Sequence, residues 1–140
     1  MKKHLKLCVI SSMFFALLVY LSWGNTALTV SNIKISSSRI PIAFSGFRIA
    51  QVSDLHNAEF GKDNRKLLEL LSESKPDIIA ITGDLVDAGH TDIGVALDFA
   101  KEAVKIAPVY YVTGNHEASL SQDNELKAGR ETLGVTVLDN

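Results

Sequence analysis

Apolar positions fall into two regimes along the chain. Residues 7–23 (LCVISSMFFALLVYLSW) carry no charge, and none appears before Lys34. From Phe47 onward the apolar residues come in short blocks separated by polar turns. Residues 47–53 (FRIAQVS) read as a strand, and residues 66–74 as a helix with Leu67, Leu68, Leu70 and Leu71 on one face and Pro76 beyond its end. Residues 77–82 (DIIAIT) form the continuous apolar run of a strand buried on both faces. Ile93, Ala96, Leu97, Ala100, Ala103, Val104 and Ala107 recur at helical spacing, which predicts a helix over 92–106 capped by Thr91. Residues 108–113 (PVYYVT) are the next strand, residues 123–133 a helix weakened by Gly129, and residues 135–138 (VTVL) a last strand. Between the two regimes, residues 25–41 intersperse Leu28, Val30, Ile33 and Ile35 with polar residues, which predicts an extended lead-in of one or two strands.

Strands alternating with helices argue for parallel strands joined by crossovers. The expected fold class is therefore α/β, a mostly parallel sheet with flanking helices. In such open sheets ligands bind outside the carboxyl ends of the strands.

The amino terminus opens with Lys2, Lys3, His4 and Lys6, and the uncharged run follows at once. Residues 7–23 as a helix span roughly 26 Å, just short of the roughly 30 Å hydrocarbon thickness of a bilayer. An uncleaved signal-anchor and a cleaved export signal both fit this pattern, and the length favours the anchor. The expectation is one transmembrane helix through residues 7–23, a single-pass protein of the cell membrane, and an extracytoplasmic remainder. The corresponding division is residues 1–24 as anchor, 25–46 as lead-in and 47–140 as the functional domain.

The formal net charge of −2 gives no global attraction to nucleic acid. Cys8 is the single cysteine, so neither an intramolecular disulfide nor a cysteine-rich metal site can form.

Chemistry concentrates where three predicted strands end. The first ends in Asp54-Leu55-His56; alternate residues leaving a strand point the same way, so Asp54 and His56 can converge on one ion. The second ends in Gly83-Asp84, followed by Asp87; glycine lets the backbone turn close to a ligand, and one carboxylate can bridge two cations. The third ends in Gly114-Asn115-His116-Glu117, which offers an amide oxygen and an imidazole that titrates near neutrality. Asp54, Asp84 and Asn115 lie 30 and 31 residues apart, one crossover unit each, so all three loops should open on one edge of the sheet.

The segments QVSDLHN, PDIIAITGDLVD and YYVTGNHE resemble the calcineurin-like metallophosphoesterases, in particular their bacterial membrane-anchored branch, over about residues 40–140. That resemblance implies a hydrolase of phosphate monoesters, diesters or lipid-linked pyrophosphates. It implies two divalent cations (manganese, iron or zinc) bridged by a hydroxide. Asp54 and His56 would ligate the first metal, Asp84 would bridge both, and Asn115 would ligate the second. His116 would assist the leaving oxygen, and Asp87 would orient His116. Ala88 and Gly89 stand where the protein serine/threonine phosphatases carry Arg and Gly, which argues against a phosphoprotein substrate.

The family pattern continues with a further histidine and a Gly-His-x-His motif, and this sequence contains neither. His90 comes in the wrong order to substitute and reads as a solvated loop residue. The expectation is the amino-terminal half of a phosphoesterase domain, with weak single-metal binding and little turnover as an isolated chain. The alternative is a non-catalytic, membrane-tethered remnant.

Overall fold

The computed structural model describes the backbone of residues 2–89, 91–120 and 123–138, and within its helices it leaves aside the side chains of residues 2, 3, 5, 22, 23, 25, 26, 123–125 and 127. Two compact units divide the chain, Met1–Ile33 and Lys34–Asn140.

The first unit is dominated by helix α1, Lys2–Thr26. Its side chains from Leu7 to Leu21 are exposed on every side. The expected transmembrane helix is not borne out: among the described residues no helix is long and apolar enough to cross a membrane. The physical reason is reach. At about 1.5 Å per residue, the uncharged run of residues 7–23 covers roughly 26 Å, short of a hydrocarbon core of roughly 30 Å. The predicted lead-in strands are also absent. Residues 27–41 pair with no strand, and a single 3₁₀ turn, Ile42–Phe44, follows. Branched apolar residues there have no partner strand to satisfy their backbone groups, so propensity by itself builds nothing.

The second unit alternates as its periodicity predicts: β1 (Ile49–Val52), α2 (Arg65–Ser74), β2 (Ile78–Ile81), α3 (Ile93–Ala103), β3 (Val109–Tyr111), a short α4 (Asn115–Ala118), α5 (Asp123–Thr132) and β4 (Thr136–Val137). The four strands are parallel in the order β1-β2-β3-β4, with Ile49 opposite Ile78, Ile79 opposite Val109 and Tyr110 opposite Thr136. Ile79, Ile81, Val109 and Tyr111 on the two central strands are fully buried, together with Ala96, Phe99, Ala100 and Ala103 on α3 and Leu126 on α5. These give the sheet the apolar cover that a parallel arrangement needs.

Helix ends show how local sequence sets the boundaries. Asp92, rather than Thr91, caps α3: its Oδ1 accepts the N–H groups of Gly94 (2.9 Å) and Val95 (3.4 Å). Thr91 instead donates its hydroxyl to the Asp87 carbonyl at 2.8 Å, tying the loop after β2 back on itself. Helix α2 stops at Lys75, which takes a left-handed conformation (φ 48°) just before Pro76. Gly129 does not break α5, because packing requires it: a Cβ there would lie 2.9 Å from Cδ2 of Leu97 on α3.

Candidate metal centre

The loops that leave β1 and β2 extend the sheet pairing past the strands themselves. The Thr82 N–H reaches the Val52 carbonyl, and Asp54, His56 and Asn57 donate in turn to the carbonyls of Gly83, Asp84 and Leu85 at 3.2, 3.0 and 2.9 Å. Holding the two loops together this way forces Asp54, His56, Asn57 and Asp84 into left-handed backbone conformations, with φ of 55°, 47°, 60° and 53°. Asp, Asn and His tolerate that region better than other non-glycine residues. Each such residue still costs about 1–3 kcal/mol, and strain of this kind collects where function fixes geometry.

The convergence expected from the strand ends is present. Asp54, His56 and Asp84 offer ligand atoms that all lie within 4.8 Å of one another. His56 Nε2 is 3.8 Å from Asp54 Oδ1, and the other Asp54 oxygen accepts the Ser53 hydroxyl. A second group, His56, Asp87 and His116, meets the same 4.8 Å criterion, so His56 is common to both. The rings of His56 and His116 meet edge to face at 4.5 Å between centroids.

Asn115 opens α4 directly after β3, and its side chain is exposed. Its neighbours tie it to the same rim. The His116 N–H donates to Asp84 Oδ1 at 2.9 Å, and Gly114 packs so close to Asp84 that a Cβ would collide with the Asp84 carboxylate. The three loops thus share one end of the sheet. His90 lies outside the described residues.

Two features suit this set to a cation. His56 Nδ1 is buried and has no hydrogen-bond partner, an orphaned donor or acceptor of the kind that a ligand normally satisfies. The donor set mixes carboxylate and imidazole, a combination suited to manganese, iron or zinc. His116 is held differently. Its Nδ1 accepts the Ala88 N–H at 3.1 Å, and a nitrogen that accepts carries no proton, so the neutral ring keeps its proton on Nε2. Asp87, expected to orient this ring, brings a carboxylate oxygen within 4.8 Å of a His116 ring nitrogen, and it also folds the loop: its Oδ1 accepts the Gly89 N–H at 2.6 Å and its carbonyl takes the Thr91 hydroxyl.

Three residues at or behind the rim had no assigned role in the sequence reading. Asn57 links the first loop to the second and to α3: its Oδ1 accepts the Asp87 N–H (2.7 Å) and its Nδ2 donates to the Asp92 carbonyl (2.6 Å). Glu117 is completely buried. Burial pushes its carboxyl up, but the N–H groups of Asp84, Val86, Glu117 and Leu85 outweigh this and hold it below the usual carboxylate range. Glu at the third position of a helix is a recognisable capping signal, so Glu117 was open to detection. Arg130 is buried with its guanidinium carbon 3.6 Å from the centre of the Tyr111 ring, and nothing in a lone helical Arg announces that.

A parallel sheet that gathers carboxylates and imidazoles at its carboxyl ends has the layout of a metal-binding α/β site. Comparison with known proteins narrows the class: residues 47–138 match the calcineurin-like phosphoesterase family, and the chain belongs to that family. An uncharacterised metallophosphoesterase of Bacillus subtilis is 44% identical over 59 residues, covering 41% of this chain and 21% of that protein. A Caenorhabditis elegans protein named as a metallophosphoesterase is 33% identical over 98% of this chain and 29% of its own length. A zebrafish (Danio rerio) protein named as a transmembrane protein with a metallophosphoesterase domain is 26% identical over 79% of this chain and 26% of its own. The chain spans between 21% and 33% of the length of the curated relatives it matches.

Proposed function

We propose that this chain supplies the first ligand set of a phosphoesterase centre, in which Asp54, His56 and Asp84 hold one divalent cation and Asp84 with Asn115 faces a second. The observation that carries the reading is the convergence of Asp54, His56 and Asp84, from two different strand ends, within 4.8 Å. Bound divalent cations would supply Lewis acidity toward the phosphoryl oxygens and activate water.

The chain's own residues do the remaining work. Asp84 is braced by the His116 N–H at 2.9 Å, so its carboxylate reaches the cations with one oxygen already oriented. His116 presents the Nε2 proton toward the ester oxygen that departs, because its Nδ1 is engaged with Ala88. Asp87 orients His116, with its carboxylate within 4.8 Å of a ring nitrogen, and the loop it folds sets the Ala88 N–H against the same ring. The substrate class is a phosphate ester, monoester or diester, with a lipid-linked pyrophosphate inside the same chemistry.

Calorimetric titration of the chain with manganese, followed by inorganic phosphate, tests this reading. Saturable manganese binding that disappears in Asp84→Ala, and phosphate binding seen only after manganese is loaded, are the expected results. If manganese, zinc and ferrous iron all fail to bind, or bind Asp84→Ala equally well, the proposal is wrong.

A further inference from the structure

Glu117 follows directly on the residues that serve the rim, yet its own oxygens are spent on the main chain. Oε1 accepts the N–H groups of Leu85 (2.6 Å) and Val86 (3.3 Å), and Oε2 those of Asp84 (2.8 Å) and Gly114 (3.0 Å). One buried carboxylate thereby binds three successive amides of the loop after β2 and the amide of Gly114, the residue that caps α4. We propose that Glu117 is a positioning residue, a carboxylate clamp that locks these two loops in register and so fixes the Asp84 carboxylate in its cation-binding pose without ligating metal itself.

Chemistry favours a carboxylate for this work. Four converging N–H dipoles need an acceptor with two oxygens and a full negative charge, and only Asp or Glu supplies both. The clamp also acts where the backbone resists, since Asp84 is held left-handed at φ 53°. Its reach is set by length: Glu117 stands in the last residues of a four-residue helix and crosses to the neighbouring loop with its full side chain. Behind it, Tyr111 and Arg130 are buried, and the Tyr111 phenol lies within electrostatic range of both Glu117 and Arg130. Arg130 on α5 stacks on the same ring, its guanidinium carbon 3.6 Å from the Tyr111 centroid.

The proposal rests on the metal-site reading above, and the two can fail separately. Glu117→Gln keeps the shape but turns an NH₂ toward donor groups. The expected result is a folded chain whose manganese affinity is about 10- to 100-fold weaker, the usual effect of removing a group that orients a ligand. Leu126→Ala, in the core and away from the rim, should leave the affinity of the folded chain within about twofold. Unchanged affinity in Glu117→Gln would overturn the clamp. If that variant does not fold, hydrogen exchange on the wild-type chain decides. Protection of the Asp84, Leu85, Val86 and Gly114 amides well beyond that of the exposed segment 30–36 supports the clamp, and exchange at equal rates refutes it. A wild-type chain that binds no manganese would sink the metal reading, while the same four amides would still report on the clamp.

Discussion

Gly83 and Gly114 lie against each other where β2 and β3 end: a Cβ on Gly83 would fall 2.6 Å from both the Cα and the backbone nitrogen of Gly114. Gly83 also holds φ at +93°, which side chains other than glycine rarely adopt. The two glycines bring the second and third loops close enough for Asp84 to meet the His116 N–H.

Gly114→Ala tests that contact with the smallest side chain available. Its methyl would collide with the Asp84 carboxylate and backbone nitrogen, so the loops must separate. Overpacking of this kind destabilises by about 1–3 kcal/mol. Metal binding should fall by more than stability does, because the displaced group is itself a proposed ligand. Urea denaturation gives the first quantity and manganese titration of the folded chain the second.

Helix α3 offers a prediction independent of the site. Asp92→Ala removes the side chain that caps it and should lower stability by about 1 kcal/mol, whereas Thr91→Ala leaves that cap in place. Thermal unfolding of the two variants side by side checks the assignment. An Asp92→Ala variant as stable as wild type would overturn the assignment.

Acid should act through Glu117. Its carboxyl is held below the usual range in the folded chain, so folding favours the charged form. The stability it contributes is present above the unfolded carboxylate pKa and is lost as pH falls through the lower, folded value. Urea midpoints of wild type and Glu117→Gln, measured from neutral pH downward, should therefore be well separated at neutrality and converge in acid. A gap that stays constant with pH would mean that the charge contributes nothing.

Periodicity made the α/β order legible, because β2 is an uninterrupted apolar run and α3 repeats alanines at helical spacing. Glycine before Asp84 and before Asn115 marked the strand ends where chemistry collects. The features that stayed hidden depend on contacts between distant segments. The uncharged run of residues 7–23 suggested a membrane span, but at roughly 26 Å it already fell short of the roughly 30 Å required. Branched residues in 27–41 suggested strands, yet strands exist only as pairs. Gly129 read as a flaw in α5 because its reason, the Leu97 side chain, sits on another helix. Arg130 and Glu117 had no role assigned from sequence because the groups they meet, the Tyr111 ring and the β2 loop, lie on other segments.

The proton on His116 can be observed directly. With Nδ1 accepting the Ala88 N–H at 3.1 Å, the neutral ring should exist as the Nε2–H tautomer, which a long-range ¹H–¹⁵N spectrum of the metal-free chain distinguishes from the alternative. The assignment matters because only a proton on Nε2 is available to a departing ester oxygen when Nδ1 is turned into the loop. Replacing Ala88 by Pro deletes that N–H while keeping a small apolar side chain, and the tautomer preference should weaken. A ring protonated on Nδ1 in the wild-type chain would overturn the Ala88 assignment and give that hydrogen bond to an acceptor instead, with the Asp87 carboxylate in reach.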